Sequence, residues 1–133
     1  MSLSPVEMLM ILLFYLQILW AKAPLEVIYA LFSESDYSFH GLYKSTDSGD
    51  NWTQQSNSPN IFGWNTDGTG TGGQSWYDMS LGVAPNNENL VYVGGINIWK
   101  SDNSGMDWDI DASSGNGSNY SYMHVDQHAL EFN

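Results

Sequence analysis

Hydrophobic positions in this chain come in short runs that alternate with polar ones, the pattern of β-strands rather than helices. Leu90-Val91-Tyr92-Val93-Gly94 is the strongest run, and Ile96-Asn97-Ile98-Trp99-Lys100 follows it with a period of two. Leu25 to Phe32 is rich in β-branched and aromatic residues and predicts another strand. Gly41 to Ser45 and Trp52 to Gln54 predict two more. Trp76 to Val83 alternates imperfectly and stops at Pro85, and Asn86 to Asn89 predicts a turn. Tyr120 to Phe132 predicts a last strand. Polar segments separate these runs at Ser33 to His40 and Asp111 to Asn119. Residues 56–75 hold Gly63, Gly68, Gly70, Gly72 and Gly73, a spacing that no helix tolerates.

Superimposed on the strands is a repeat. Ser45-Thr46-Asp47-Ser48-Gly49-Asp50-Asn51-Trp52 returns as Ser101-Asp102-Asn103-Ser104-Gly105-Met106-Asp107-Trp108, an offset of 56 residues from Ser45 to Ser101. Each octet follows an aromatic-lysine strand end, Tyr43-Lys44 or Trp99-Lys100. Aligning the octets also aligns Val27-Ile28-Tyr29-Ala30 with Leu90-Val91-Tyr92-Val93, and the extra length of the first copy falls in the polar loop 33–40. The repeated unit is therefore a β-hairpin with a common exit turn, the mark of a modular β architecture. Within the turn, Ser hydroxyls and the Asp47 carboxylate suit backbone amides, and Asn103 offers an uncharged oxygen in place of Asp47. Gly49 and Gly105 supply a positive φ or a close approach.

The first 23 residues have a different character. Met8 to Leu16 and Ile18 to Trp20 form an apolar run broken by Gln17, and Ala21-Lys22-Ala23 fits a small-x-small cleavage site. Those are two parts of an export signal; the third, a basic start, is missing because residues 1–7 carry Glu7 and no Lys or Arg. The run is short for a membrane span, which takes about 20 apolar residues. Three readings stand: an export leader ending at Ala23, a membrane anchor, or a bland one, a buried helix or a start foreign to the domain. The expected division is a leader over 1–23 and a β domain over 24–133.

Charge narrows the partners. Fifteen Asp plus Glu against three Lys plus Arg give a net charge of -12. All three cations are lysines, Lys22, Lys44 and Lys100, and none is clustered. Such a field repels nucleic acid. With no Cys, disulfides, thiolate metal sites and Cys nucleophiles are excluded. No motif calls for a cofactor.

The octet Ser-x-Asp-x-Gly-x-x-Trp resembles the Asp box, or BNR repeat, of sialidases and of sortilin-like and xyloglucanase-like β-propellers. Ser45, Asp47, Gly49 and Trp52 match it fully; Ser101, Gly105 and Trp108 match with Asn103 at the Asp position. Gly73 to Asp78, Val83-Ala84-Pro85, Val91 to Ser101 and His124 to Leu130 resemble segments of exported bacterial members of that group. The resemblance implies an all-β partial propeller: about two four-stranded antiparallel blades plus the first strand of a third, with each box between strands three and four. It implies a structural role for the boxes, away from any site. It also implies a secreted or cell-surface location, and partners in further blades of a larger propeller or in copies of the same chain, because propellers close with about four or more blades. Sialidase chemistry is excluded by the lack of Arg.

Candidate site residues come from three patterns. His124, Asp126 and His128 alternate, so in a strand they share one face and could line a ligand site or, through the two imidazoles, hold a metal. Asp78 and Asp126 occupy similar places in the two repeats and are candidate catalytic carboxylates for glycoside hydrolysis. Trp64 and Tyr120, in glycine- and asparagine-rich loops, are candidates for stacking on a sugar. Two functions follow: a non-enzymatic propeller segment that recognises a glycan or protein, or part of a xyloglucanase-like hydrolase.

Overall fold

A computed structural model of the chain describes residues 2–12, 18–22, 26–115 and 119–132. Part of the apolar run, and Ala23 of the cleavage motif, lie outside the described residues. Two sheets of five strands form. The first is a meander of β2 (Ile18–Lys22), β3 (Ile28–Ser33), β4 (Phe39–Ser45) and β5 (Trp52–Ser56), with β1 (Ser2–Leu3) antiparallel on its outer edge. The second repeats it with β6 (Ser80–Ala84), β7 (Asn87–Gly94), β8 (Ile98–Ser101) and β9 (Asp109–Ser113), and β10 (Ser121–Tyr122) runs parallel on that edge. A short helix, α1 (Pro5–Leu12), lies between β1 and β2 in the chain. Ser4 caps it: its hydroxyl and amide both donate to Glu7 at 2.8 Å, while the Glu7 amide donates back to the Ser4 hydroxyl.

The two meanders share one register. Tyr29 stands opposite Lys44 in the first, and Tyr92 opposite Lys100 in the second. Alternation then sorts side chains by face. Tyr29, Leu31 and Leu42 of the first sheet meet Leu81, Val83, Val91, Val93 and Trp99 of the second in one core, which Ile61 and Phe62 of the long β5–β6 loop complete. On the outer face of the first sheet, Ala30, Phe32, Tyr43 and Trp52 are covered by Leu3 and Met8. On the outer face of the second, Leu130 and Phe132 cross Gly82, and Phe132 meets Tyr92 edge-on at 5.7 Å. A methyl group at Gly82 would stand 3.2 Å from both Leu130 and Phe132, so the glycine sets how closely that segment lies.

Two strand expectations are corrected. Of the strand predicted over 120–132 only Ser121–Tyr122 forms, parallel to β9; residues 123–132 are in no strand and Asp126 has a φ of 76°, so no opening strand of a third unit is present among the described residues. Trp76 and Tyr77 lie in a turn, and the strand there starts only at Ser80. Within the apolar N-terminal segment, Ile18–Lys22 pairs with β3 from Phe32 to Ile28 as an edge strand. The all-β expectation holds, with the described residues forming two antiparallel-meander sheets.

One polar cluster ties the sheets together. The Lys44 ammonium donates to Glu88 Oε1 and to Ser104 Oγ, each at 3.1 Å, and sits 5.6 Å from the centre of the Tyr29 ring. The Tyr29 hydroxyl donates to the Glu88 carbonyl at 2.8 Å. Lys44→Met keeps the stem and removes the charge. It should lower the unfolding free energy by about 1–2 kcal/mol, because Glu88 is open to water and screens the pair. Urea unfolding of the two proteins measures this, and Glu88→Gln should cost less.

Candidate functional site

Because each sheet is a meander, its connections fall alternately at two ends. The repeated octets lie at one end, each between the third and fourth strands of its meander. In both, the first Ser hydroxyl accepts from the Gly amide at 2.8 Å, Gly49 to Ser45 and Gly105 to Ser101. Ser48 and Ser104 have φ of 62° and 67°, and the following glycines are also positive. The third and seventh residues are exchanged between the copies. Asn51 Nδ2 donates to the Asp47 carboxylate at 2.8 Å, and Asn103 Nδ2 donates to the Asp107 carboxylate at 2.9 Å. Donor and acceptor reverse, yet the seventh amide still bonds to the third side chain, at 2.8 Å and 3.0 Å. Bonds from Asn51 and Ser45 hold the Asp47 carboxyl below its ordinary pKa. The tryptophans differ only in what lies beside them. Trp52 Nε1 donates to Gly49 O, whereas Trp108 Nε1 reaches across to Ser56 Oγ of the first sheet, both at 2.9 Å.

The opposite end gathers the loops 34–38, 57–79 and 95–97, and there lies the candidate site. Asn60 organises the long loop: its side chain accepts from the Phe39 amide at 2.9 Å and donates to Gly72 O at 2.8 Å. Ser75 Oγ donates to Tyr37 O at 3.0 Å, and a Cβ at Gly73 would collide with the carbonyls of Phe62 and Tyr37. These contacts bring Tyr37 beside Trp76, ring centres 6.3 Å apart. Trp76 meets Tyr77 at 5.5 Å, and Tyr77 meets His128 edge-on at 4.9 Å. Trp76 and Tyr77 are 57% and 52% exposed, so the rings form an open ledge.

Behind the ledge is Asp78, 1% exposed, whose amide donates to Gln74 O at 3.0 Å. No well-formed hydrogen bond reaches either of its carboxylate oxygens. Burial, and secondarily the charge of Asp126, push its pKa from 3.8 up to about 6; its own amide, that of Asp126 and the Gln74 side chain pull weakly the other way. Asp126 Oδ1 accepts from Gln74 Nε2 at 3.4 Å. Asp78 and Asp126, from distant parts of the chain, are thus neighbours. With Asp78 closed off from solvent, it acts on the ledge through its charge and not by direct contact with a bound molecule.

The other expected residues are placed as follows. His128 joins the ledge. His124 packs against Tyr122 at 5.9 Å, and no strand aligns it with Asp126 and His128. The alternation expected to build a metal site therefore fails. Among the described residues no group of three His, Cys, Asp or Glu is arranged to hold a metal. Trp64 is 62% exposed, and its carbonyl accepts from the buried Asn97 side chain at 3.4 Å. Tyr120 is exposed, next to residues outside the described set. Sequence reasoning missed Tyr37, Trp76 and Tyr77 as a group. The adjacent pair Trp76-Tyr77 ahead of a strand was the only signal. No protein-family model, curated protein or solved structure matches the chain.

Proposed function

We propose that this chain forms two blades of an Asp-box β-propeller of an exported protein, and that it recognises a glycan on the ledge of Tyr37, Trp76, Tyr77 and His128. The propeller reading is supported by two successive antiparallel meanders, each with its octet between strands three and four and packed face to face. The ledge carries the functional reading. Trp76 and Tyr77, exposed and tilted 48° to each other, each offer a ring face to the apolar face of a sugar, and the carboxylate of Asp126 and the amide of Gln74 nearby suit hydroxyls. Further blades, or a second copy, are the protein partners this reading implies. Among the described residues no helix is long and apolar enough to cross a membrane.

Calorimetric titration with a panel of oligosaccharides tests the reading. Trp76→Ala or Tyr77→Ala should weaken binding at least about tenfold, or roughly 1.4 kcal/mol. Met106→Ala, at the octet end, should change nothing. If both ring variants bind like the wild type, the ledge is not the site.

A hydrolase is the second reading, favoured by one observation: a carboxyl raised to about 6 beside a second carboxylate. The burial of Asp78 keeps it second. It requires release of reducing ends from a polysaccharide, abolished in Asp78→Asn.

A further inference from the structure

The end that carries the ledge is acidic. Two carboxyls adjoin the ledge, and among the described residues neither forms an ion pair. Lys44 is engaged with Glu88 at the other end of the sheets. Both Asp78 oxygens are buried without a well-formed hydrogen bond, while Asp126, half-buried, receives a single long bond from Gln74. A buried carboxylate without a partner is costly, and a cation brought alongside offsets that cost. The neighbouring rings offer the complementary surface, because the faces of Trp and Tyr attract cations. The chain as a whole, at -12, draws in cations and repels acidic polymers.

Resting on the glycan reading of the ledge, we infer that its ligand is a saccharide bearing free amines, an amino-sugar polymer, whose ammonium groups lie over Trp76 and Tyr77 and beside the Asp126 carboxylate. Asp78 is a positioning residue that deepens the negative potential from behind. Uronic-acid polymers are rejected by the same carboxylates. Neutral glycans gain only the stacking.

The test is titration calorimetry of the full chain with a glucosamine tetramer, its fully N-acetylated form, a neutral β-glucan tetramer and a galacturonic-acid tetramer. The glucosamine tetramer should bind at least tenfold tighter than the N-acetylated and neutral ones, and its affinity should fall with added salt. Asp126→Asn should remove at least tenfold of that affinity, while Asp102→Asn, an equal charge change at the octet end, should leave it unaltered. Equal losses in the two variants would reduce the effect to bulk charge and overturn the inference. So would N-acetylated or neutral tetramers binding as well as the amine, an outcome that leaves the glycan reading intact. Binding of none of the four would overturn the inference and count against the glycan reading as well. Should Asp126→Asn fail to fold, the amine preference and salt dependence of the wild type decide the matter: both present sustains the inference, and either absent overturns it.

Discussion

Gly105→Ala is expected to destabilise the protein by roughly 2–4 kcal/mol, while Gly49→Ala, the same change in the other octet, costs only about 1–2 kcal/mol. Both glycines have positive φ, 83° and 100°, so each alanine bears the left-handed penalty. The difference lies in their neighbours. A methyl at Gly105 would overlap Leu42 Cδ2, a fully buried side chain of the facing sheet. At Gly49 the nearest atoms are Trp52 Cζ2 at 3.7 Å and Ile28 Cδ1 at 4.0 Å, ordinary contact distances. Urea unfolding midpoints of the two variants measure the asymmetry. Equal losses would mean that the second octet does not pack against the first sheet.

The second large effect concerns Asp78 and depends on pH. Its folded pKa, about 6, is above the ordinary 3.8, so the folded state favours the protonated form. Stability from this group is therefore highest below pH 3.8, falls as pH rises toward 6, and is constant above. Asp78→Asn removes the charge and lets an amide donate toward Asp126. The variant should match the wild type near pH 3.5 and exceed it by roughly 1–3 kcal/mol near pH 8. Denaturant midpoints of both proteins across that range provide the check; a difference that does not vary with pH would contradict the assignment. Asp126→Asn should flatten the wild-type dependence in part, since burial is the larger cause.

What the sequence disclosed, and what it withheld, follow from the range of the interactions. Strand runs such as 90–94 and the octets are local patterns, and they identified the two hairpins; the register that sets Tyr29 opposite Lys44 and Tyr92 opposite Lys100 needs the sheet. The substitution of Asn103 for Asp47 was visible, but not its compensation by Asp107, which needs the bond between the two side chains. The strand Ile18–Lys22 was not legible in the apolar run ending at Trp20, because it depends on pairing with Phe32 to Ile28 further along the chain. Alternation over 124–128 suggested one face for two histidines, and a positive φ at Asp126 breaks it. The ledge was hidden because Trp76 and Tyr77 are consecutive, a spacing that argues against a shared face in a strand. A turn displays both.

Amide hydrogen exchange, followed residue by residue by NMR on the full chain, tests most directly whether the two octets are one device used twice. Gly49, Asn51, Gly105 and Asp107 should all be protected, with Ser45→Ala releasing Gly49 alone and Ser101→Ala releasing Gly105 alone. Exchange of one octet at the rate of an unfolded peptide while the other stays protected would contradict the repeat, and with it the two-blade account built on it.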